Sequence, residues 1–346
     1  MKTQRLRKLR TSVNITALLL LLYLLSPSDS FAFRPFRNMI RDAIASRENN
    51  NSVAARPSGT TSNDSLQTIL INNLEREFIV HVPPQLDTYK RTPLVIVLHG
   101  GGGTAQGMVG LSGFDQIADQ HKCIVVYPNA LQRHWNDDRV LKDKTNYDDV
   151  GFIATLIEKM IAEYNVDPKR VYVTGISNGG FFSERLTLEL PDKIAASAIV
   201  AAGLTTQLEK LDRLHKPTPI LLILGTEDRL VPFNGGKIGS LFGFGQRGFV
   251  LPAKETIKFW VNHNRCSCEM KNIKLTPRDP SDPTRIEETD YQPTGKGQEV
   301  CLYTVIGGGH TWPSGRQYLP ERLVGKTTHQ LTNEDLWLFF QDKYLH

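Results

Sequence analysis

The sequence predicts an α/β fold in which a mostly parallel sheet is covered by helices on both faces. Between residues 93 and 343, apolar runs of strand length alternate with helical patterns. The apolar runs are continuous, which is typical of strands whose two faces are both buried. With 346 residues, 40% of them hydrophobic, the chain can bury one large core. We therefore expect one α/β domain without internal repeats.

The first expected element of this domain is a β-hairpin. The segments LQTILI and REFIVHVP flank Asn72 and Asn73, which suit a tight hairpin turn. Asp148 and Asp149 begin the helix expected over 149–164, where carboxylates cap a helix and interact favourably with its dipole. The elements expected after the hairpin are the strand PLVIVLHG, a helix over 106–121, the strand CIVVYP, a helix over 149–164, the strand RVYVTG, a helix over 179–190, the run AASAIVAAG, the strand PILLILG, a helix over 253–264, the strand CLYTVI and a helix over 333–343.

Residues 1–32 have the layout of a secretory signal peptide. Five basic residues lie within the first ten positions, an apolar run extends from Ile15 to Leu25, and small residues precede a cleavage site after Ala32. The apolar run is shorter than the roughly 20 residues that a membrane-spanning helix requires, so an uncleaved anchor is the weaker alternative. We therefore expect a secreted protein without membrane association once the signal is removed.

Residues 33–65 are expected to form a disordered linker, and residues 66–346 the folded domain. The stretch NNNSVAARPSGTTSNDS has no periodicity and no apolar face to bury. The formal net charge of +5 includes the five basic residues of the signal, so the mature protein is close to neutral. A nearly neutral protein is not expected to bind nucleic acid.

The cysteines of an exported protein meet an oxidising compartment, so we expect a disulfide. Cys123 opens the apolar run CIVVYP and is expected to be a buried free thiol. Cys266 and Cys268 are too close in sequence to pair comfortably with each other. We therefore expect Cys301 to pair with either Cys266 or Cys268. A metal site is the weaker alternative, because no histidine cluster accompanies these cysteines at zinc-binding spacing.

The candidate nucleophile is Ser177, in the pentapeptide Gly175-Ile176-Ser177-Asn178-Gly179. A strand precedes this segment and a helical pattern follows it, which is the context of a nucleophile elbow. The sharp turn from strand to helix holds the serine in a strained conformation and leaves no room for side chains at the two glycines. A glycine-rich turn with an incidental serine is the alternative interpretation.

A serine hydroxyl needs a base, and the base needs an acid that orients it. In elbow enzymes the chain order is nucleophile, acid, histidine. Asp228 lies just beyond the buried strand PILLILG, where α/β active sites collect, and is the candidate acid. Glu227 is the rival acid, and Asp212 is a weaker candidate because it precedes the strand.

The candidate base is His310, in the glycine loop VIGGGHTWPSG after the strand CLYTVI. Glycines give such a loop the close approach and mobility that a catalytic loop needs. His329 is the alternative base. The remaining downstream histidines are His215, His263 and His346.

An oxyanion hole needs N–H donors aimed at the position where negative charge develops. The N–H of Asn178, directly after the serine, is one candidate donor. We expect the second donor in the loop HGGGG at 99–103, after the strand PLVIVL, and Gly101 is the candidate. A phosphate-binding turn is the weaker alternative, because no Lys-Ser/Thr pair follows the glycines.

Seven sequence blocks together resemble the secreted polyhydroxybutyrate depolymerase and feruloyl esterase family of α/β-hydrolases. The resemblance covers residues 66–345 and rests on the order and spacing of the blocks. The blocks are LVIVLHGGGG, YPNA, Trp135-Asn136, DDVGFIATLIEKM, VDPKRVYVTGISNGG, LGTEDRLVPFNGG and GGGHTWP.

The resemblance implies a Ser-Asp-His triad, carried by Ser177, Asp228 and His310. In that family the position of Gly101 is often cysteine, which contributes its backbone amide, so glycine is compatible with the same role. The substrates implied are hydroxyalkanoate polyesters, feruloyl or related aromatic esters, and acetylated xylan. No cofactor and no metal are implied.

Trp135 and Trp312 are expected to line the substrate pocket, because tryptophan provides a large flat apolar wall. Packing in the core is the alternative for both. From the triad and the resemblance together, we expect a serine carboxylesterase that hydrolyses short-acyl or hydroxycinnamoyl, feruloyl-type esters through an acyl-enzyme. Hydrolysis of hydroxybutyrate oligomers, deacetylation of xylan and a non-catalytic binding protein on the same scaffold are the alternatives.

Deleting residues 33–60 should leave the melting temperature and the ester hydrolysis rate unchanged, because this segment has no apolar face to bury. Thermal melting and turnover of p-nitrophenyl acetate by the full-length and shortened proteins test this. A large fall in melting temperature would contradict the prediction and would mean that the segment packs on the domain.

Overall fold

The structure is a computed structural model that describes residues 63–87, 89–139, 147–211, 216–239 and 247–345. The expected signal peptide lies outside the described residues, as does the expected linker except for its last three residues. In the described ranges, no helix is both long enough and apolar enough to cross a membrane.

A central sheet of parallel strands is extended by antiparallel strands on both sides. The sheet order is β1-β2-β4-β3-β5-β6-β7-β12-β11-β10, and β8 pairs with β9 in a separate small sheet. Neighbours from β4 to β12 in this order pair in parallel, and the outer pairs are antiparallel. The strands are β1 (Asp64–Ile71), β2 (Leu74–His81), β3 (Thr92–Leu98), β4 (Ile124–Pro128), β5 (Val166–Ile176), β6 (Ala196–Val200), β7 (Ile220–Gly225), β8 (Gly236–Lys237), β9 (Phe249–Val250), β10 (Cys266–Lys274), β11 (Arg285–Pro293) and β12 (Val300–Ile306).

Helices cover both faces of this sheet, as the sequence predicts. One face packs against α1, α2 and α7, which contribute Met108, Ile117 and Trp337 to its core. The other face packs against α3, α4 and α5 through side chains that include Phe152 and Trp260. The helices are α1 (Ala105–Ser112), α2 (Asp115–His121), α3 (Asp149–Tyr164), α4 (Asn178–Glu189), α5 (Ala253–His263), α6 (Glu321–Val324) and α7 (Asn333–Phe340).

The predicted N-terminal hairpin is present, and its turn explains the two asparagines. β1 and β2 pair from Ile71 opposite Leu74, so that Asn72 and Asn73 form the turn. Both asparagines have positive φ, 50° and 61°, as a two-residue hairpin turn requires. At the start of α3, the Asp148 side chain accepts a hydrogen bond from the Gly151 N–H at 2.8 Å, which confirms the predicted cap.

The fold differs from the predicted element list in several features, which include the short elements β8, β9 and α6. The helix expected over 106–121 is two helices, because Gly113 adopts a left-handed φ of 62° that ends α1. The strands β10 and β11 were not expected, since their sequences CSCEMKNIK and RIEETDYQP are largely polar. Antiparallel strands at the side of a sheet can leave one face to solvent, so they lack the continuous apolar run of a buried strand.

The predicted disulfide is wrong. Cys266 and Cys301 are free thiols, and Cys123 is a buried free thiol as expected. β11 lies between β10 and β12, with Pro293 opposite Cys266 and Asp290 opposite Cys301. Two strand spacings of about 4.8 Å separate β10 from β12, which exceeds the Cα separation of about 7 Å that a disulfide can bridge. Cys268 is also on β10, and its side chain lies outside the described residues.

Glu184 is an unusual buried acid within α4. Its side chain is 0% exposed, and its Oε1 accepts a hydrogen bond of 3.2 Å from the Trp260 Nε1–H. Burial raises the pKa of Glu184 to about 8, although the bond from Trp260 acts in the opposite direction. The carboxyl is therefore protonated in the folded protein at neutral pH, whereas it ionises near its ordinary pKa when the chain unfolds.

Replacing Glu184→Gln should remove a pH dependence of stability. A raised folded pKa means that the free energy of unfolding falls as pH rises from the unfolded value towards about 8, by about 1.4 kcal/mol per pH unit. Urea unfolding of both proteins across this range should show a stability difference that grows with pH in favour of the variant. The exposed Glu75→Gln is the control and should not change the slope. Parallel curves for wild type and Glu184→Gln would contradict the prediction.

Candidate active site

Ser177 occupies a strained turn between β5 and α4. Its backbone has φ 57° and ψ −120°, a combination that non-glycine residues rarely adopt. The turn is also crowded, since a Cβ on Gly175 would lie 2.6 Å from the Gly179 carbonyl. A Cβ on Gly179 would lie 2.5 Å from the Leu98 carbonyl oxygen at the end of β3. This is the geometry that the predicted nucleophile elbow requires.

Asp228 follows β7 and is held by three hydrogen bonds. Its Oδ1 accepts from the N–H groups of Leu230 at 2.8 Å and Val231 at 2.7 Å. Its Oδ2 contacts Nδ1 of His310 at 2.7 Å, and both side chains are buried. The carboxylate therefore has one orientation, and that orientation faces the imidazole.

His310 follows β12 in a loop whose backbone is hydrogen-bonded to neighbouring residues. Its N–H donates to the Val324 carbonyl at 2.5 Å, and its carbonyl accepts from the Tyr318 hydroxyl at 2.9 Å. With an Nδ1–H donated to Asp228, Nε2 is the acceptor nitrogen of the neutral ring. The imidazole can therefore accept a proton on the side away from Asp228.

The rival candidates do not join this pair. The Glu227 side chain is exposed, and so is that of His329. The Nε2 atom of His263 contacts the Lys216 carbonyl at 3.1 Å. The other candidates, Asp212, His215 and His346, lie outside the described residues.

Ser177, Asp228 and His310 follow three parallel strands, β5, β7 and β12, of one sheet. The carboxyl ends of parallel strands meet at one edge, where α/β proteins place their sites. The structure therefore brings Asp228 and His310 into direct contact and places Ser177 at the same edge of the sheet.

The loop 99–103 is next to the elbow because β3 pairs with β5, with Leu98 opposite Gly175. Its Gly102 N–H donates to the Arg133 carbonyl at 2.7 Å, and its Gly103 N–H donates to the Gly100 carbonyl at 3.0 Å. A Cβ on Gly101 would lie 3.6 Å from the Asn178 Cβ, so the two candidate oxyanion donors belong to adjacent residues. The Asn178 N–H is in the first turn of α4, where backbone donors lack a helical acceptor.

His99 holds this loop, a role that the sequence analysis missed. Its Nδ1 contacts the Gly100 carbonyl at 2.8 Å, and its Nε2 accepts from the Ala130 N–H at 3.1 Å. Burial lowers the pKa of His99 to about 4, against the opposing effect of the bond to Gly100. The ring is therefore neutral at physiological pH, and its two contacts define its tautomer. The sequence feature that could have indicated this role is the position of His99 directly before the four glycines.

The prediction that Trp135 and Trp312 line the pocket is wrong, because both side chains are 0% exposed. Trp135 stacks on Phe182 with ring centroids 5.0 Å apart, and its Nε1–H donates to the His99 carbonyl at 3.0 Å. The Nε1–H of Trp312 donates to the Asn333 side-chain oxygen at 2.8 Å. Both indoles bury their apolar surface and satisfy their donor inside the protein, which is the core role of tryptophan.

A small apolar cavity lies beside Asp228. Its volume is about 10 Å³, roughly the room of one water molecule. The lining residues include Ala201, Ala202, Gly203, Val231 and Phe233. The space next to the acid is therefore narrow and bounded mostly by small or apolar side chains.

One of the two side-chain groups close enough to hold a metal, within the described part of the chain, surrounds His81. His81 contacts Asp64 at 2.7 Å and Asp119 at 3.0 Å. Burial lowers the pKa of His81, but the bond to Asp64 and the charges of Asp115 and Asp119 outweigh it and raise the pKa to about 9. With His81 protonated, this group is an ion cluster of one imidazolium and the carboxylates around it. The other group is Glu288, Asp290 and Cys301.

Comparison with known proteins is consistent with this geometry. The family model described as Esterase PHB depolymerase matches residues 77–208. "Putative esterase NocK" of Nocardia uniformis subsp. tsuyamanensis is 29% identical over 274 residues, which are 77% of this chain and 79% of that protein. Feruloyl esterase B of Piromyces equi is 31% identical over 247 residues, which are 70% of this chain and 44% of that protein.

A solved structure, acetyl xylan esterase from Aspergillus awamori, has the same fold. It superimposes with a TM-score of 0.52 and 17% sequence identity, over 80% of this chain and 99% of its own. With the family match and the curated relatives, this agreement shows an α/β-hydrolase fold. The chain is similar to esterases that include polyhydroxybutyrate depolymerases and feruloyl esterases.

Proposed function

We propose that this chain is a secreted serine carboxylesterase that hydrolyses short-acyl or hydroxycinnamoyl esters through an acyl-enzyme. The observation that carries the proposal is the buried contact of 2.7 Å between His310 Nδ1 and Asp228 Oδ2. A carboxylate that orients an imidazole, at the sheet edge that also holds a strained serine, is the arrangement that activates a serine hydroxyl.

In the acylation step, Ser177 Oγ attacks the ester carbonyl carbon while His310 Nε2 accepts the hydroxyl proton. Asp228 stabilises the imidazolium that forms. The N–H groups of Gly101 and Asn178 donate to the carbonyl oxygen as it becomes negative. The intermediate then expels the alcohol, which takes the proton from His310, and the acyl group remains on Ser177.

In the deacylation step, water attacks the acyl carbon and His310 accepts a proton from the water. The second tetrahedral intermediate uses the same N–H donors and releases Ser177, which regains its proton from His310. The products are a carboxylic acid and an alcohol, and the enzyme returns to its initial protonation state.

The substrate class is supported by the relatives. A feruloyl esterase is among the curated relatives, and an acetyl xylan esterase shares the fold. The rings of Trp135 and Trp312 are buried and cannot stack on a bound substrate. They therefore give no support for a substrate with an aromatic acid. Secretion is supported by the signal-like pattern of residues 1–32.

Replacing Ser177→Ala should reduce turnover of p-nitrophenyl butyrate by about 10⁴ to 10⁶, because the nucleophile is lost. The matched control is Ser183→Ala, the same change in α4, where the hydroxyl donates to the Gly179 carbonyl at 2.8 Å. The control should retain activity within a few-fold, and both variants should melt cooperatively. Activity of Ser177→Ala within tenfold of wild type would contradict the assignment.

Substrate preference should favour methyl ferulate or acetylated xylan over a hydroxybutyrate trimer. The measurement is kcat/KM for all three substrates on one preparation. A preference of a hundredfold or more for the trimer corresponds to about 2.7 kcal/mol of transition-state discrimination. That result would overturn the proposed substrate class in favour of hydroxyalkanoate oligomers, while leaving the serine mechanism intact.

A further inference from the structure

We propose that Asp137 is a positioning residue for the reaction, acting on the oxyanion hole through the side chain of Asn178. The inference rests on the proposed function, because an oxyanion donor matters only if Ser177 forms tetrahedral intermediates. Asp137 touches neither the ester nor the nucleophile in this scheme. Its role is to hold Asn178, whose N–H donates to the oxygen that becomes negatively charged.

The Asn178 side chain is held from three directions. Its Oδ1 accepts from the Trp135 N–H at 2.8 Å, and its Nδ2 donates to the Trp135 carbonyl at 3.1 Å. The same Nδ2 donates to Asp137 Oδ2 at 2.5 Å. Asn178 is 2% exposed, so water does not substitute for these partners. Because the side chain has one orientation, the backbone of Asn178 is held at the elbow as well.

Asp137 is a buried carboxylate that contacts the candidate site through Asn178. Its side chain is 0% exposed, and its Oδ2 accepts from Arg139 Nε at 2.9 Å. The Arg139 guanidinium also lies 4.1 Å from the centre of the Phe181 ring on α4. A buried ion pair adds little net stability over apolar residues of similar size. What an apolar pair could not supply is an acceptor that fixes the amide of Asn178.

The same segment also holds the other half of the oxyanion hole. The Arg133 carbonyl accepts from the Gly102 N–H at 2.7 Å, next to the candidate donor Gly101. The His134 ring packs against Gly101, where a Cβ would lie 3.0 Å from Nδ1. Gln132 and Arg133 both have positive φ, 54° and 56°, an uncommon conformation for such residues. Residues 132–137 therefore set the spacing between the two N–H donors.

The test is Asp137→Ala, which removes the oxygen that accepts the hydrogen bond from Asn178 Nδ2. We expect kcat for p-nitrophenyl butyrate to fall by about 10- to 100-fold while KM changes by less than about threefold, because oxyanion donors act mainly in the transition state. The second readout is the inhibition constant of a trifluoromethyl propyl ketone, which forms an oxyanion adduct with a serine. It should rise by the same factor as kcat/KM falls.

The matched control is Asp335→Ala on α7, which removes a carboxylate that pairs with Arg278 at 2.6 Å and takes part in a capping box. This control should lower the melting temperature without changing kcat/KM or the inhibition constant. If Asp137→Ala alone fails to fold, the double variant Asp137→Ala/Arg139→Gln leaves no unpaired buried cation. The same two readouts are then measured on the double variant.

Two results would overturn the inference. The first is a kcat within threefold of wild type in the folded variant. The second is a lower kcat with an unchanged inhibition constant, since that would mean a general loss of structure instead of a weakened oxyanion hole. Activity of Ser177→Ala in the same assay would instead overturn the proposed function, so the two failures are distinguishable.

Discussion

The architecture of the site depends on the close contact between the elbow and the end of β3. At Gly179 a side chain would meet the Leu98 carbonyl oxygen at 2.5 Å, so α4 can approach β3 only because this residue is glycine. That approach brings the loop 99–103 beside Asn178 and holds Ser177 at a positive φ of 57°. Strain of this kind persists where the surrounding structure determines the conformation, and here the parallel strands on both sides do so.

Around this junction, buried polar groups orient the candidate catalytic groups by hydrogen bonding to main-chain atoms. Asp228 accepts from two backbone N–H groups as well as from His310. His99 joins its loop to Ala130, and Asn178 joins the elbow to Trp135. A buried polar group that is fully paired is rigid, because breaking any one bond leaves an unsatisfied group. These hydrogen bonds orient the candidate groups before a substrate arrives, as electrostatic stabilisation of a transition state requires.

Much of the fold and the location of the candidate site residues at one sheet edge were predictable from local patterns in the sequence. Ser177, Asp228 and His310 each follow an apolar strand, and parallel strands end at one edge, so local signals were sufficient to place them together. Cys301 and Cys266 were different, because their separation depends on β11, whose polar sequence carries no strong strand signal. The role of Asp137 was also hidden, since it depends on a contact with Asn178 across 41 positions. Aromatic type alone could not distinguish a pocket wall from a core position for Trp135 and Trp312.

The central claim is that hydrolysis proceeds through an acyl group on Ser177. The most direct measurement is peptide mass mapping of enzyme that is quenched in acid during turnover of p-nitrophenyl butyrate. The account predicts one butyryl group on the peptide that contains Ser177, and no such adduct in Ser177→Ala. Hydrolysis at a normal rate with the acyl group on another residue, and an unmodified Ser177, would contradict it.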